Sequence, residues 1–275
     1  MRLRNTWVGG AVAAALAASV FACGGGSSSS SETAAPAGGS AAPAGGGGGQ
    51  KVDTATAGEL KGGITVDGTL PKNADIKMNA DPVCVKANST PQSQETYLVG
   101  GDGKSLENVF VYVKDGLGNY AYDTPTDTAT IDQHNCRYHP HVFGVRVGQP
   151  ITILNSDPTL HNIHALPKGN SEFNTGQPVQ GMKTTHTFDK PEIMVPFKCD
   201  VHGWMNAYVG VLDHPYFAVS DKDGKFEIKN LPPGTYTIEA WHEKLGTMTQ
   251  SVTIAAKDSK EITFVFKAAA ATPTN

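Results

Sequence analysis

Short runs of alternating apolar and polar residues, broken by turn chemistry, recur along residues 59–267, and no stretch between them carries a helical period. Alternation at period two puts successive side chains on opposite faces of a strand. Leu106–Lys114 sets Val109, Val111 and Val113 on one face and Phe110 and Tyr112 on the other, and a turn follows at 116–119. Val142–Val147 and Ile151–Leu154 flank a Gly148-Gln149-Pro150 turn. Asp223-Gly224 between two alternating runs is a strong hairpin signal. Pro232-Pro233-Gly234 marks another turn before Thr235–Trp241. Ile64–Leu70, closed by Pro71, reads as the first strand, and Tyr208–Leu212, Val252–Ile254 and Ile262–Phe266 as later ones. The expected class is all-β.

The chain has 275 residues, room for one or two domains, and a net charge of −4, which offers no basic footprint for nucleic acid. Its start is a targeting segment. Arg2 and Arg4 precede a short apolar run, Val8–Phe21, too short for a comfortable membrane span. The run ends in Ser19-Val20-Phe21-Ala22-Cys23, which resembles the lipobox of bacterial lipoproteins. That resemblance implies cleavage before Cys23, lipid on its thiol and a place in the cell envelope, periplasmic or at the surface. An ordinary secretory signal with an incidental cysteine is the alternative. Residues 24–58 are Gly, Ser, Ala and Pro with little else and read as a disordered tether, as does the tail 268–275.

The chemistry concentrates in residues 196–212, PFKCDVHGWMNAYVGVL, where Cys199, His202 and Met205 are spaced C-x2-H-x2-M. A thiolate, an imidazole and a thioether are soft or borderline donors. Such a set selects copper, and two imidazoles with one thiolate and a weak axial Met make an electron-transfer copper site. The loop lacks one imidazole, and His161 in NSDPTLHNIHAL is the candidate to supply it.

The pattern resembles the cupredoxins, and the loop is most similar to the short amicyanin form. Tyr138–Leu166, YHPHVFGVRVGQPITILNSDPTLHNIHAL, is similar to the plastocyanin run from the F-x-P strand through V-x-x-G-x-x-I-x-x-x-N to H-N. The resemblance spans residues 126–213. It implies a Greek-key β-sandwich with one copper held by His161, Cys199, His202 and Met205, and a single-electron carrier with a redox partner protein. It also implies that Asn162 pins the ligand loop by hydrogen bonds. The loop histidine of such proteins reaches the surface through an apolar patch, so a partner is expected to dock over residues 202–206, with Trp204 as a broad contact. The competing expectation is that Trp204 packs inward.

A second resemblance lies downstream. The run from Tyr216 to Gly246, YFAVSDKDGKFEIKNLPPGTYTIEAWHEKLG, resembles the carboxypeptidase regulatory-like (transthyretin-like) β-sandwich, with Ser220-Asp221 where that family shows Thr-Asp. The family also has an initial strand and a V-x-V strand, which Gly62–Leu70 and Val109–Val113 fit. Val113 and Phe217 are too far apart for one such module. The expected arrangement therefore inserts residues 126–213 into a sandwich built from 59–125 and 214–267. Tandem domains are the alternative.

Cys84 and Cys136 remain, an even pair in an oxidising compartment, and a disulfide is the natural expectation. Two buried thiols, or Cys136 as a metal ligand among His134, His139 and His141, stay open. His164 lies at an odd offset from His161, on the opposite face of a strand. With His139 and His141 it forms a candidate accessory metal group, against packed or surface histidines. His134, His186, His214 and His242 read as packed or surface histidines, and His242, which follows a core Trp in AWHEKLG, shows no partner. No nucleophile–base constellation and no Gly-rich phosphate loop stand out. Four protein donors on one copper leave no exchangeable position, which favours electron transfer over catalysis. Copper capture or delivery, and a surface adhesion or carbohydrate-binding module with structural copper, are the rivals.

Overall fold

Strand alternation sorts the chain into two pairs of packed sheets. The computed structural model describes residues 49–268; the signal segment, Cys23, the tether up to residue 48 and the tail beyond Ala268 lie outside the described residues. In chain order the elements are β1 (Gly58–Asp67), β2 (Asp75–Ile76), α1 (Pro82–Ala87), β3 (Gln92–Ser93), β4 (Phe110–Asp115), β5 (Ala129–His134) and β6 (Arg137–His139). Then come β7 (Val142–Arg146), β8 (Ile151–Asn155), β9 (His161–Ala165), β10 (Phe173–Gln177), β11 (Lys183–His186), β12 (Glu192–Lys198) and β13 (Asn206–Leu212). The chain closes with β14 (Phe217–Val219), β15 (Lys225–Leu231), β16 (Gly234–His242), β17 (Gly246–Ile254) and β18 (Ser259–Lys267).

One sandwich packs the sheet β10-β9-β12-β13-β7 against β11-β8-β5-β6. Its core holds Ile131, Tyr138, Val145, Ile153, Ile163, Val195, Phe197 and Val209. The other packs β15-β1-β18 against β14-β4-β16-β17 around Leu60, Ile64, Val109, Val111, Ile228, Ile238 and Phe264. Its strands come from both ends of the described chain, and β5–β13 run between them.

Strand β4 explains its own two-sided hydrophobicity. Val109, Val111 and Val113 face the core of its sandwich, while Phe110 and Tyr112 face the other. The receiving surface is a glycine window. Gly144 and Gly210 are register partners on β7 and β13, and a Cβ at either would overlap the ring of Phe217 or Phe110. Burying these rings draws on the same apolar transfer that builds a core.

Two sequence expectations need correction. The tether does not run to residue 58: Gln50 bridges Tyr120, the Asp53 side chain accepts from Ala55 N at 2.9 Å, and β1 opens at Gly58. Polar pairing orders a stretch that has little apolar surface of its own. The chain also has a helix, α1. Asp81 caps it, its Oδ1 accepting from Val83 N at 2.8 Å, and Pro82 starts it. With six residues and Cys84 as its buried side chain, α1 is too short to show a period.

Candidate metal centre

The loop 199–205 joins β12 to β13, and β9 lies beside β12 with Lys198 opposite His164. Antiparallel continuation carries the chain after Lys198 back along β9 toward Asn162 and His161. The loop is tightly closed: Cys199 N donates to Met205 O at 3.1 Å, Met205 N to His202 O at 2.9 Å, and His202 N to Cys199 Sγ at 3.3 Å. Asn162 Oδ1 accepts from Asp200 N at 2.8 Å and lies 3.3 Å from Cys199 Sγ. Tyr138 hydroxyl in turn donates to Asn162 O. A loop held at both ends and pinned in its middle keeps its donors in place.

Three of the sequence-predicted donors converge. One nitrogen of His161, Cys199 Sγ and one nitrogen of His202 all lie within 4.8 Å of one another, and all three residues are buried. The two Nδ1 atoms face each other at 2.9 Å, and His202 Nδ1 is 3.9 Å from the sulfur. Met205 is buried in the same core cluster as Cys199. The donor set has two imidazole nitrogens and a sulfur turned toward one point, and its nearby carboxylates sit on the far side of the rings. That chemistry fits a soft or borderline metal ion.

Each ring's outer nitrogen has a carboxylate. His161 Nε2 is 2.9 Å from Asp157 Oδ2, and His202 Nε2 is 3.0 Å from Asp81 Oδ2. Asp157 also accepts from the amides of Asn135 and Cys136, at 2.9 and 2.7 Å. Those two residues form the two-residue turn between β5 and β6, both at positive φ, the type I′ pattern. Cys136 is bonded to Cys84 of α1. The bond stands beside the site, with Cys84 Sγ 3.7 Å from His202 Nε2.

The electrostatics follow from this packing. Burial alone would raise the Cys199 thiol, but hydrogen bonds from His161, His202 and the amides of Asn162 and His202 bring it down to about 6. Burial would lower His161, yet Asp157 and Cys199 hold it up at about 8. Asp157 and Asp81 are both lowered: burial opposes this, and it is outweighed by His161 with two amides, and by Thr159, Val83 N and His202, respectively. The thiolate is therefore the favoured form of Cys199 near neutral pH.

Of the two expectations for Trp204, the contacts favour inward packing. His202 is 3 % exposed, and its outer edge meets Asp81 rather than solvent. Trp204 is half-buried and packs against the core; its Nε1 donates to Cys136 O at 3.0 Å, and its carbonyl accepts from Gln94. The covering segment, residues 71–95, was not foreseen as part of the site.

The accessory histidines go separate ways. His141 is buried against Glu243 at 2.7 Å, His164 bridges Glu172 and Asp200 at 2.7 and 2.9 Å, and His139 is exposed. His164 faces away from His161, as its odd offset requires. Asp81 and Asp157 are the site residues that sequence reasoning missed. The remaining signal was faint: Asp81 stands directly before Pro82 in a helix-start pattern, and Asp157 stands four residues before His161.

Residues 205–267 match the family model of the carboxypeptidase regulatory-like domain. No curated protein matches the chain significantly. Among solved structures, a Cu-containing nitrite reductase from Thermus scotoductus SA-01 is similar at 21 % identity over 36 % of this chain, with a TM-score of 0.30. The matched part spans 24 % of that reductase's length. A purple cupredoxin from Nitrosopumilus maritimus is similar at 23 % identity over 30 % of this chain and 98 % of its own, with a TM-score of 0.27. A single-site mutant of amicyanin in its Cu(I) form is similar at 19 % identity over 37 % of this chain and 97 % of its own, with a TM-score of 0.28.

Proposed function

We propose that this protein is a copper electron carrier tethered to a bacterial cell envelope through Cys23. The observation that carries the reading is the convergence of His161, Cys199 and His202 in a buried pocket, their ligand atoms within 4.8 Å of one another. Met205 is the fourth ligand in this reading. Bound copper would supply a one-electron couple.

The chain's own residues do the rest. Cys199, favoured as thiolate, provides the strongest donor. Asp157 and Asp81 occupy the outer nitrogens and leave Nδ1 of each ring free to bind. The loop's internal hydrogen bonds and Asn162 hold donor positions that change little when an electron comes or goes. With the ligand residues buried, no position is open to a substrate, which supports carriage over catalysis. The same burial supports retention of the metal over delivery, since release would require the loop to open.

In this reading residues 126–213 form a cupredoxin unit inserted into the carboxypeptidase regulatory-like sandwich, which serves as its mount. The Val8–Phe21 run ending in Ala22-Cys23 supports the lipid anchor. The partner is another redox protein. The test is the visible and paramagnetic-resonance spectrum of copper-loaded protein lacking residues 1–23. An intense sulfur-to-copper band is expected, and Cys199→Ala is expected to abolish it while the fold survives. Copper-loaded wild type without such a band overturns the proposal.

A further inference from the structure

We infer that Asp81 is a positioning residue for His202: it fixes the ring with Nδ1 toward Cys199 and His161, and closes the ring's outer edge. The inference rests on the copper reading above and adds a residue from outside both the ligand loop and the strands of its sandwich.

The geometry is specific. Asp81 divides its two oxygens between two tasks. Oδ1 caps α1 by accepting from Val83 N at 2.8 Å. Oδ2 accepts from Thr159 Oγ1 at 2.7 Å and faces His202 Nε2 at 3.0 Å. The Thr159 hydroxyl is on the loop that leads into His161, so the same oxygen ties together both histidine-bearing segments. The helix cap holds the carboxylate from one side, and the disulfide of Cys84, three residues on, holds the helix against the turn at Cys136. Asp81 is thus fixed before any metal arrives.

The consequence is chemical. A carboxylate is an acceptor only, so it requires Nε2 to carry the proton and leaves Nδ1 with its lone pair directed at the metal position. It also makes the imidazole a stronger donor, which favours the more highly charged copper state. His161 has its own carboxylate, so both rings are held alike.

Asp81→Asn separates this role from the structural one. Asn caps helices as well as Asp, so Val83 N keeps an acceptor. With Oδ1 so occupied, the amide nitrogen is turned to His202 and presents a donor to a donor. The expected results are a 10–100-fold loss of Cu(II) affinity and a higher reduction potential. A tenfold loss confined to Cu(II) corresponds to about 59 mV. Nitrogen-15 shifts of the zinc-loaded and metal-free protein are expected to show His202 protonated at Nε2 in wild type, and no longer uniformly so in Asp81→Asn. Asp81→Ser keeps the cap and removes the contact, and is expected to fall between the two. If wild type binds copper with the sulfur band and Asp81→Asn, still folded, leaves affinity, potential and tautomer unchanged, the inference is overturned. If wild type fails to bind copper, the function proposed above falls, and the tautomer measurement on metal-free protein still decides the Asp81 contact.

Discussion

At the scale of residues, burial decides which side chains face the His161–Cys199–His202 cluster and which face solvent. Trp204 follows His202 by two residues and looks like a contact for a partner, but its indole donates inward to Cys136 O and its ring lies 5.0 Å from that of His202. Trp204→Ala is therefore expected to leave a cavity beside the ring and an unpartnered carbonyl. The cost is about 3 kcal/mol, the low end for such truncations because the ring is only partly buried. For a protein of this size that lowers the melting temperature by roughly 6–12 °C, and the copper spectrum is expected to shift. Calorimetry and absorption on the one variant check both; unchanged stability would mean the ring does not pack. His161, Cys199 and His202, whose ligand atoms converge, were legible in the sequence as candidate donors, because Cys and His at short spacing are rare and chemically distinctive. Their carboxylate partners were not. Aspartates are common, and Asp81 meets His202 across 121 residues of chain, a separation that no local pattern encodes.

At the scale of elements, strands were legible and the covering segment was not. β4, β7, β8, β13 and β16 fall within a few residues of the alternating runs, since a half-buried strand writes its faces into the sequence. The segment around α1 has no such period and is held by particular contacts instead. Asn88 Nδ2 donates to Cys84 O and Asn135 O, Arg137 donates to Ser93 O at 2.6 Å, and the disulfide joins α1 to the β5–β6 turn. That turn places Cys136 at a positive φ usually given to glycine, and Asp157 and the disulfide offset the strain. Replacing both cysteines by serine is expected to destabilise the protein by about 4 kcal/mol, the chain-entropy value for a sequence separation of 52. Proteolysis is expected to begin within residues 71–95, where cover over His202 is lost first. Cleavage elsewhere at unchanged rates would show that the segment holds without its bond. In the oxidised, unreduced, denatured protein without residues 1–23, thiol titration is expected to find Cys199 alone.

At the scale of the whole molecule, the two sandwiches meet through a seam whose logic only the fold reveals. Gly144 and Gly210 are far apart in sequence and carry no sign that Phe110 and Phe217 will fill the space above them. His141 and Glu243 pair across the same seam, with Tyr208 hydroxyl 3.2 Å from Glu243. Two further histidines make this assembly sensitive to acid. His242 Nδ1 accepts from the amides of Lys244 and Leu245, and His214 Nδ1 accepts from Tyr216 N. Both rings are buried, and burial lowers each to about 4, against the pull of Glu243 on His242 and of Asp213 on His214. A folded value below the unfolded one means that the unfolded chain binds the proton first. Their contribution is therefore complete above pH 6.5, is lost as pH falls from 6.5 to 4, and has no further slope below that. The scale is roughly 3 kcal/mol per ring. Most carboxylates act lower, near their own unfolded values, so the two windows separate. His214→Asn with His242→Asn keeps an acceptor at the Nδ1 position and removes the titration. Denaturant unfolding of wild type and double variant between about pH 4 and 7 is expected to give curves that converge in slope above about 6.5 and diverge below it, the wild type losing stability faster. The subtraction cancels His161 and Cys199, which both proteins share. Parallel curves across that range would show that neither ring is held neutral by the fold.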